Sequence, residues 1–360
     1  MMRFEFATFR YAHADGAACV LFCPARHVRL QSQFQQFFAR FWQPAQLPEL
    51  LKFENVILAE RDDSACLYDP QGWRIDESAL PRRTRELEPV FHRAAPVLEN
   101  IDVTDVVEEP VVWQSLFFPH WGHFLLESVS RLWANEPGSH VADCASLFSY
   151  PAGSDEIAPP FATFLSAAGA RLLRRTRKGE ARLAQCYVPR PSFELYALAH
   201  PYHLRAPHRV ARNLLLDNRR DPRPVYLSRR KLAETKTGAR LIENEATLEL
   251  ELARHGVRIA YMEQLSLAEQ VKIVNAHDVF VGPWGSAMHN ILFSLRGREI
   301  TTFVLIFGAL PRDFLLVDSI VGNRAHYLDV MRPAEGSPDP NLLRLDIDKA
   351  VSYLHDCGVV

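Results

Sequence analysis

The stretch Val279-Phe280-Val281-Gly282-Pro283-Trp284-Gly285-Ser286-Ala287-Met288-His289-Asn290 decides the fold. Three apolar residues read as a short buried strand, the glycines as a tight turn, and the remainder as the first turn of a helix. Glycine lacks a β-carbon, so Gly282 and Gly285 leave room for a ligand to approach the main chain. Ser286 is placed to cap a helix continuing through Met288, Ile291 and Leu292. The unpaired N–H groups and positive dipole end of such a helix favour an anion. An ordinary strand-to-helix turn is the plainer reading of this stretch alone.

The flanking sequence repeats the same unit. Val225 to Ser228 reads as a strand. Asn244 can cap a helix through Leu248, Leu252 and Ala253 that stops at Gly256. Val257 to Tyr261 is a strand, and Ser266-Leu267-Ala268-Glu269 is a capping box opening a helix through Val271 and Val274. Ile300 to Phe307 is the last strong strand. Strands alternating with helices predict an α/β fold with a parallel, doubly wound sheet. Ligands of such sheets sit at the carboxyl ends of strands. The loops after Ser228 and after Val281 are both carboxyl-end loops.

Residues 1 to about 110 read as a mixed α/β region, with a helix over Gln31 to Trp42 and a strand at Val56-Ile57-Leu58. Val111-Val112-Trp113 is a strand, followed by a helix from His123 to Trp133. On that helix His123 and Glu127 are four apart and share a face near its start. Ala162 to Ala170 and Pro207 to Leu216 read as helices, and Leu183 to Pro189 as a strand. The segment Asp217 to Pro224 breaks the pattern and marks a connection between domains.

The chain has 360 residues, 48% hydrophobic and 23% charged, enough for two domains with sizeable cores. Lys plus Arg is 41 and Asp plus Glu is 43, so no basic excess points to nucleic acid. Arg171 to Lys178 is a basic run; such runs are usually solvated, and a peripheral contact with an anionic membrane or acidic glycan is the alternative. The six cysteines include no CxxC pair, and no metal site is expected. The first twenty residues have no signal-peptide core, and no run reaches the ~20 apolar residues of a membrane span. A cytoplasmic protein is expected.

The first carboxyl-end loop carries Ser228, Arg229, Arg230, Lys231, and farther on Lys236 and Arg240. Guanidinium and ammonium groups beside a helix N-terminus suit a diphosphate. There is no Walker motif and no GxGxxG after a strand, which disfavours a nicotinamide or flavin dinucleotide.

In their order and spacing these residues resemble glycosyltransferase family 61. The family pattern Tyr-[Ile/Leu]-Ser-Arg stands here as Tyr226-Leu227-Ser228-Arg229, followed by Arg240, Asn244-Glu245 and Ser266-Leu267-Ala268-Glu269-Gln270. Its Gly-Pro-His-Gly-Ala-Gly-Leu-x-Asn turn stands as Gly282-Pro283-Trp284-Gly285-Ser286-Ala287-Met288-His289-Asn290. The segment from His123 through Glu127 to Arg131-Leu132 resembles the family's upstream His-aromatic-Leu-Leu-[Asp/Glu] helix. The chain departs from the pattern where the turn His is Trp284, the Ala-Gly pair is Ser286-Ala287, and the helix Pro is Ser130.

The resemblance implies a GT-B fold of two Rossmann-like doubly wound domains, the C-terminal one the more regular. It implies a nucleotide-sugar donor, a glycan or glycolipid acceptor, and inversion at the anomeric carbon. The expected division is an acceptor-side domain over 1–206, a helix and connection over 207–224, a nucleotide-sugar-binding domain over 225–345, and a terminal helix over 346–360. The expected donor site comprises Ser228, Arg229, Lys231, Arg240, Gly282, Trp284, Gly285, Ser286, His289 and Asn290. With no DxD-type acid pair at a strand end in this half, the arginines and helix start replace a metal, and no cofactor is required. His123 is the expected base toward the acceptor hydroxyl, with Glu127 orienting it or acting in its place. Trp284 motivates a competing reading, a non-catalytic carbohydrate- or nucleotide-binding protein of the same fold. A pyruvyl transferase using phosphoenolpyruvate is a third.

Overall fold

The 225–329 region of the computed structural model forms five parallel strands: Val225–Leu227, Arg258–Ala260, Val279–Pro283, Thr301–Ile306 and Arg324–Asp329. The structure describes residues 6–12, 18–24, 33, 48–61, 64–84, 88–91, 94–99, 101, 103, 105–150, 157–175, 179–217, 219–235, 240–296, 299–339 and 341–360. The expected helix over Gln31 to Trp42 therefore lies almost wholly outside the described residues.

Taken in chain order as one to five, these strands lie side by side in the order 2-1-3-4-5. Helices Glu245–Arg254, Leu267–Ala276 and Arg312–Val321 and the 3-10 helix Ser286–Phe293 supply the crossovers. Strand order reverses between the first and third strands, and chains leaving there in opposite directions open a crevice at their carboxyl ends. One sheet face buries Tyr226, Val281, Phe303, Leu305 and Leu328 against Leu248 and Leu252 of the first crossover helix and Tyr353 and Leu354 of the terminal helix Ile347–Asp356.

The chain divides into two compact units, Met1–Trp42 with Ala211–Val360, and Gln43–Val210. The second break is close to the connection expected at 207, but the first corrects the expected single domain over 1–206. Strand Ala18–Pro24 pairs in parallel with Arg324–Asp329, and Phe6–Ala12 pairs antiparallel beyond it. The doubly wound sheet thus recruits its outer strands from the start of the chain, which covers an edge that would otherwise offer unpaired backbone groups.

The Gln43–Val210 unit departs from the expected second doubly wound sheet. Leu172–Leu173, Ala145–Ser149, Val111–Leu116 and Glu180–Pro189 run parallel, but Leu50–Arg61 and then Ser64–Tyr68 add antiparallel strands. The last two strands are separated by two residues, a connection that permits only antiparallel pairing. Val56, Leu58, Leu67, Val111, Trp113, Leu147, Leu183 and Val188 form the core on this sheet.

The helix expected from His123 to Trp133 is corrected too. An α-helical turn Trp121–His123 passes into a π-helical turn Phe124–Ser128, and a 3-10 turn Leu132–Asn135 follows. Phe124 through Ser130 are all buried, so no solvent-facing side imposes a 3.6-residue period. His203, itself buried, donates from Nε2 to the Leu125 carbonyl at 2.9 Å, and burial pulls its pKa down to about 4. Arg131 is buried as well, donates to the carbonyls of Pro189, Glu77 and Ala79, and has its pKa lowered to about 10 by burial.

Candidate functional site

At the reversal of strand order, the loop after Leu227 is held from below by two buried carboxylates one helical turn apart, Glu245 and Glu249. Glu245 accepts from the Arg229 N–H and the Tyr226 hydroxyl, each at 2.9 Å. Its carboxyl is raised, first by burial. Glu249 accepts from the Ser228 hydroxyl at 2.6 Å, from Arg230 at 2.8 Å and from the Tyr261 hydroxyl at 3.0 Å. Ser228 and Arg230 are thereby engaged within the loop, whereas Arg229 leaves it in the other direction.

The Arg229 Nη1 donates to the Trp284 carbonyl at 2.8 Å, which ties the first loop to the glycine turn of the third strand. Gly285 makes this contact possible. A β-carbon there would lie 2.5 Å from Nη1, although its backbone is extended and any residue could adopt it. Gly282 is tight for a different reason, because its β-carbon would meet the Leu227 carbonyl at 3.2 Å. Trp284 rests against the sheet core, and the Arg240 guanidinium lies over its ring at 4.3 Å from the centroid.

Two guanidinium groups are therefore held close together. Among the described residues no carboxylate forms an ion pair with either Arg229 or Arg240. Burial lowers the pKa of both, and the charge of Arg240 lowers that of Arg229 further. The Arg229 Nε and the Trp284 Nε1 are buried and have no acceptor among the described residues. A cation pair of this kind is costly without an anion, since desolvation and like-charge repulsion act in the same direction.

The other expected members stand apart from this pair in different ways. Lys231 donates to Glu234 at 2.6 Å on the loop surface. Ser286 does not cap its helix: Gly285 occupies the cap position, no side chain bonds there, and the helix is 3-10 rather than α. His289 is buried with its ring 4.4 Å from that of Phe314. Asn290 donates to Gln270 at 2.8 Å, joining the 3-10 helix to the preceding crossover helix. Asn244 also turns from capping, its side chain bonding both the N–H and the carbonyl of Leu345.

In the Gln43–Val210 unit, His123 and Glu127 do come together, joined from Nδ1 to Oε2. Glu127 is fully buried and the His123 side chain is 43% exposed, so only the histidine reaches solvent. A third member, which no local sequence pattern marks, completes the group. Arg82 donates from Nε and Nη2 to the two Glu127 oxygens, each at 2.9 Å, a fork that fits a carboxylate in its plane. Its neighbour Arg83 points to the opposite side of the strand and pairs with Glu194. The rings of His120 and Phe118 flank His123 at 5.2 and 5.8 Å. Because Glu127 occupies Nδ1, the imidazole presents Nε2 outward.

The described part of the basic run is spent inside the unit. Arg175 is buried and pairs with Glu60 and Asp105, Arg171 pairs with Glu109, and Arg174 lies over the Tyr150 ring. Among the described residues no group of three or more His, Cys, Asp or Glu could hold a metal ion, and no helix is long and apolar enough to cross a membrane.

The loops at the carboxyl ends of the first and third strands of this doubly wound sheet thus bring Arg229 and Arg240 together with no ion-paired carboxylate among the described residues. The model of the glycosyltransferase 61 family matches residues 121–301, a span that includes both the His123–Glu127 turn and the Arg229–Gly285 contact. The chain belongs to the glycosyltransferase 61 family, and membership implies a sugar donor and a glycan acceptor. A comparison with curated proteins finds no match.

Proposed function

We propose that the protein is an inverting, metal-independent glycosyltransferase that moves a sugar from a nucleotide-sugar donor to a glycan or lipid-linked acceptor. The observation that carries this reading is the Arg229–Arg240 pair, two partly buried cations with no carboxylate in ion-pair contact among the described residues, at the carboxyl ends of the strands of a 2-1-3-4-5 sheet. A diphosphate supplies the missing charge. In the transition state the leaving nucleoside diphosphate gains negative charge, and fixed guanidinium groups stabilise that gain without reorganising. Gly285 and the N–H groups at the start of the Ser286–Phe293 helix add to them, while Ser228, Asn290 and Glu245 hold the frame.

His123 is the base. Its Nε2 takes the proton of the acceptor hydroxyl as the oxygen attacks the anomeric carbon and the carbon–phosphate oxygen bond breaks. Glu127 is locked by Arg82 and cannot reach an acceptor, so its part is to fix the imidazole tautomer and stabilise the imidazolium that forms. Synthesis of a cell-surface or exopolysaccharide chain in the cytoplasm is the setting suggested by family analogy. The non-catalytic reading loses its motive, since Trp284 is packed against the core and carries Arg240 on its ring.

A thermal-shift screen against nucleotide sugars, with phosphoenolpyruvate as control, tests the ligand class. Stabilisation by a nucleotide sugar, followed by release of free nucleoside diphosphate in the presence of acceptor, is the expected result. Stabilisation without any release would return the protein to the binding class.

A further inference from the structure

Trp284 meets both arginines of the pair, and it meets them in different ways. Its backbone carbonyl accepts from Arg229 at 2.8 Å, while the Arg240 guanidinium lies over its ring, 4.3 Å from the centroid. Any residue at this position offers the carbonyl, but only an aromatic one offers the ring. Arg240 comes from outside the doubly wound sheet. It precedes Leu241–Ile242, a short strand of a separate three-stranded sheet with Leu342–Leu345 and Met331–Pro333. Among the described residues no hydrogen bond or ion pair fixes its guanidinium, so the ring is what ties it to the glycine turn. Ile242, Met331 and Leu343 border the two arginines and Trp284, and such apolar surroundings strengthen a contact between a cation and a ring.

Resting on the donor reading above, we propose that Trp284 is a positioning residue whose ring holds Arg240 beside Arg229 without neutralising it, leaving the guanidinium edge to bind the diphosphate. The choice of partner matters electrostatically. A carboxylate would hold an arginine more firmly, but it would cancel the charge and take the in-plane N–H donors that a phosphate needs. Arg82, forked onto Glu127, shows that alternative within the same chain. An aromatic face attracts the cation through its quadrupole and leaves both the net charge and those donors in place. Two like charges are then held together before the ligand arrives, and the anion meets a preorganised pair.

The test is a double-mutant cycle read by calorimetry on the full chain. Uridine, guanosine, adenosine and cytidine diphosphates are titrated first, and the tightest is carried forward with its matching nucleoside. Trp284→Leu is expected to raise the dissociation constant for the diphosphate by about fivefold or more, the size of a partly desolvated cation–π contact, and to leave that for the nucleoside within about twofold. Trp284→Phe, which keeps a ring, is expected to recover most of the loss. In an Arg240→Ala background Trp284→Leu is expected to add less than about twofold, because the arginine it would release is gone. A loss of the same size with and without Arg240 assigns Trp284 to core packing and overturns the proposal. Full affinity in Trp284→Leu, or equal damage from Phe and Leu, overturns it as well. In these cases binding by the wild type leaves the donor reading intact, whereas binding of none of the diphosphates by the wild type overturns both. Circular dichroism checks the fold of each variant. Trp284→Met, whose flexible side chain fills irregular space, replaces Trp284→Leu in the cycle if the latter does not fold.

Discussion

Arg82 and Arg229 are the same residue type placed in opposite electrostatic situations. Arg82 meets both oxygens of a buried carboxylate in a planar fork. Arg229 meets a backbone carbonyl, has a second arginine nearby, and has no carboxylate paired with it among the described residues. A neutralised guanidinium positions: it fixes Glu127, which fixes His123. An unneutralised one attracts, and the geometry that leaves it so is specific, a glycine where any side chain would displace it. On the proposed function, the difference separates the residues that would arrange a proton transfer from those that would hold a charged donor.

The largest expected effect breaks the positioning side. His123→Ala lowers the turnover number by about a hundredfold or more, the size of a general-base contribution, with donor affinity unchanged. Glu127→Gln costs less than His123→Ala, since Arg82 and the tautomer are disturbed but the base remains. Equal losses in steady-state kinetics would make Glu127 the base and reverse the two roles.

Gly285→Ala sharpens the attracting side. Its extended backbone accepts alanine, so the variant folds, but the new methyl collides with the Arg229 guanidinium. Nucleoside diphosphate binding is expected to weaken by about tenfold, the loss of one charge-assisted contact. Unchanged affinity in a titration would show that Arg229 yields easily and that its place against Trp284 has no bearing on the ligand.

A smaller effect concerns the π-helical turn. His203 has a folded pKa of about 4, below its ordinary 6.5, so the folded state resists its protonation. Stability is full above about pH 6.5 and is lost as pH falls toward 4, by up to a few kcal/mol. His326, buried and lowered to about 3, contributes in the same direction. The melting temperature is expected to fall over that window, and His203→Gln to flatten the slope. A flat profile in the wild type contradicts a neutral buried imidazole. The smallest expected effect is none at all: turnover survives excess chelator. Loss of activity with EDTA and recovery with manganese or magnesium would replace the arginine account of the leaving group.

How much of this was legible in the sequence follows from the range of each interaction. The Val279–Pro283 strand, the Ser266–Glu269 capping box and Arg229 at a strand end depend on neighbouring residues, and the structure bears out these elements. The capping role expected of Ser286 fails because Gly285 takes the cap position of a helix that is 3-10, and what fills the space beside Gly285 is Arg229, which belongs to another loop. Arg82 lies 45 residues before Glu127 and reaches it only through the packing of a strand against a helical turn. The edge strands from the start of the chain pair with a strand some three hundred residues later, a contact no local pattern announces.

The central claim is that Arg229 binds phosphate, and calorimetry on Arg229→Ala tests it most directly. The titrants are a nucleoside diphosphate and the matching nucleoside. The dissociation constant for the diphosphate is predicted to rise by about tenfold or more while that for the nucleoside stays within about twofold, because the lost contact is to phosphate. An equal change for both ligands, or no change for either, would contradict the account.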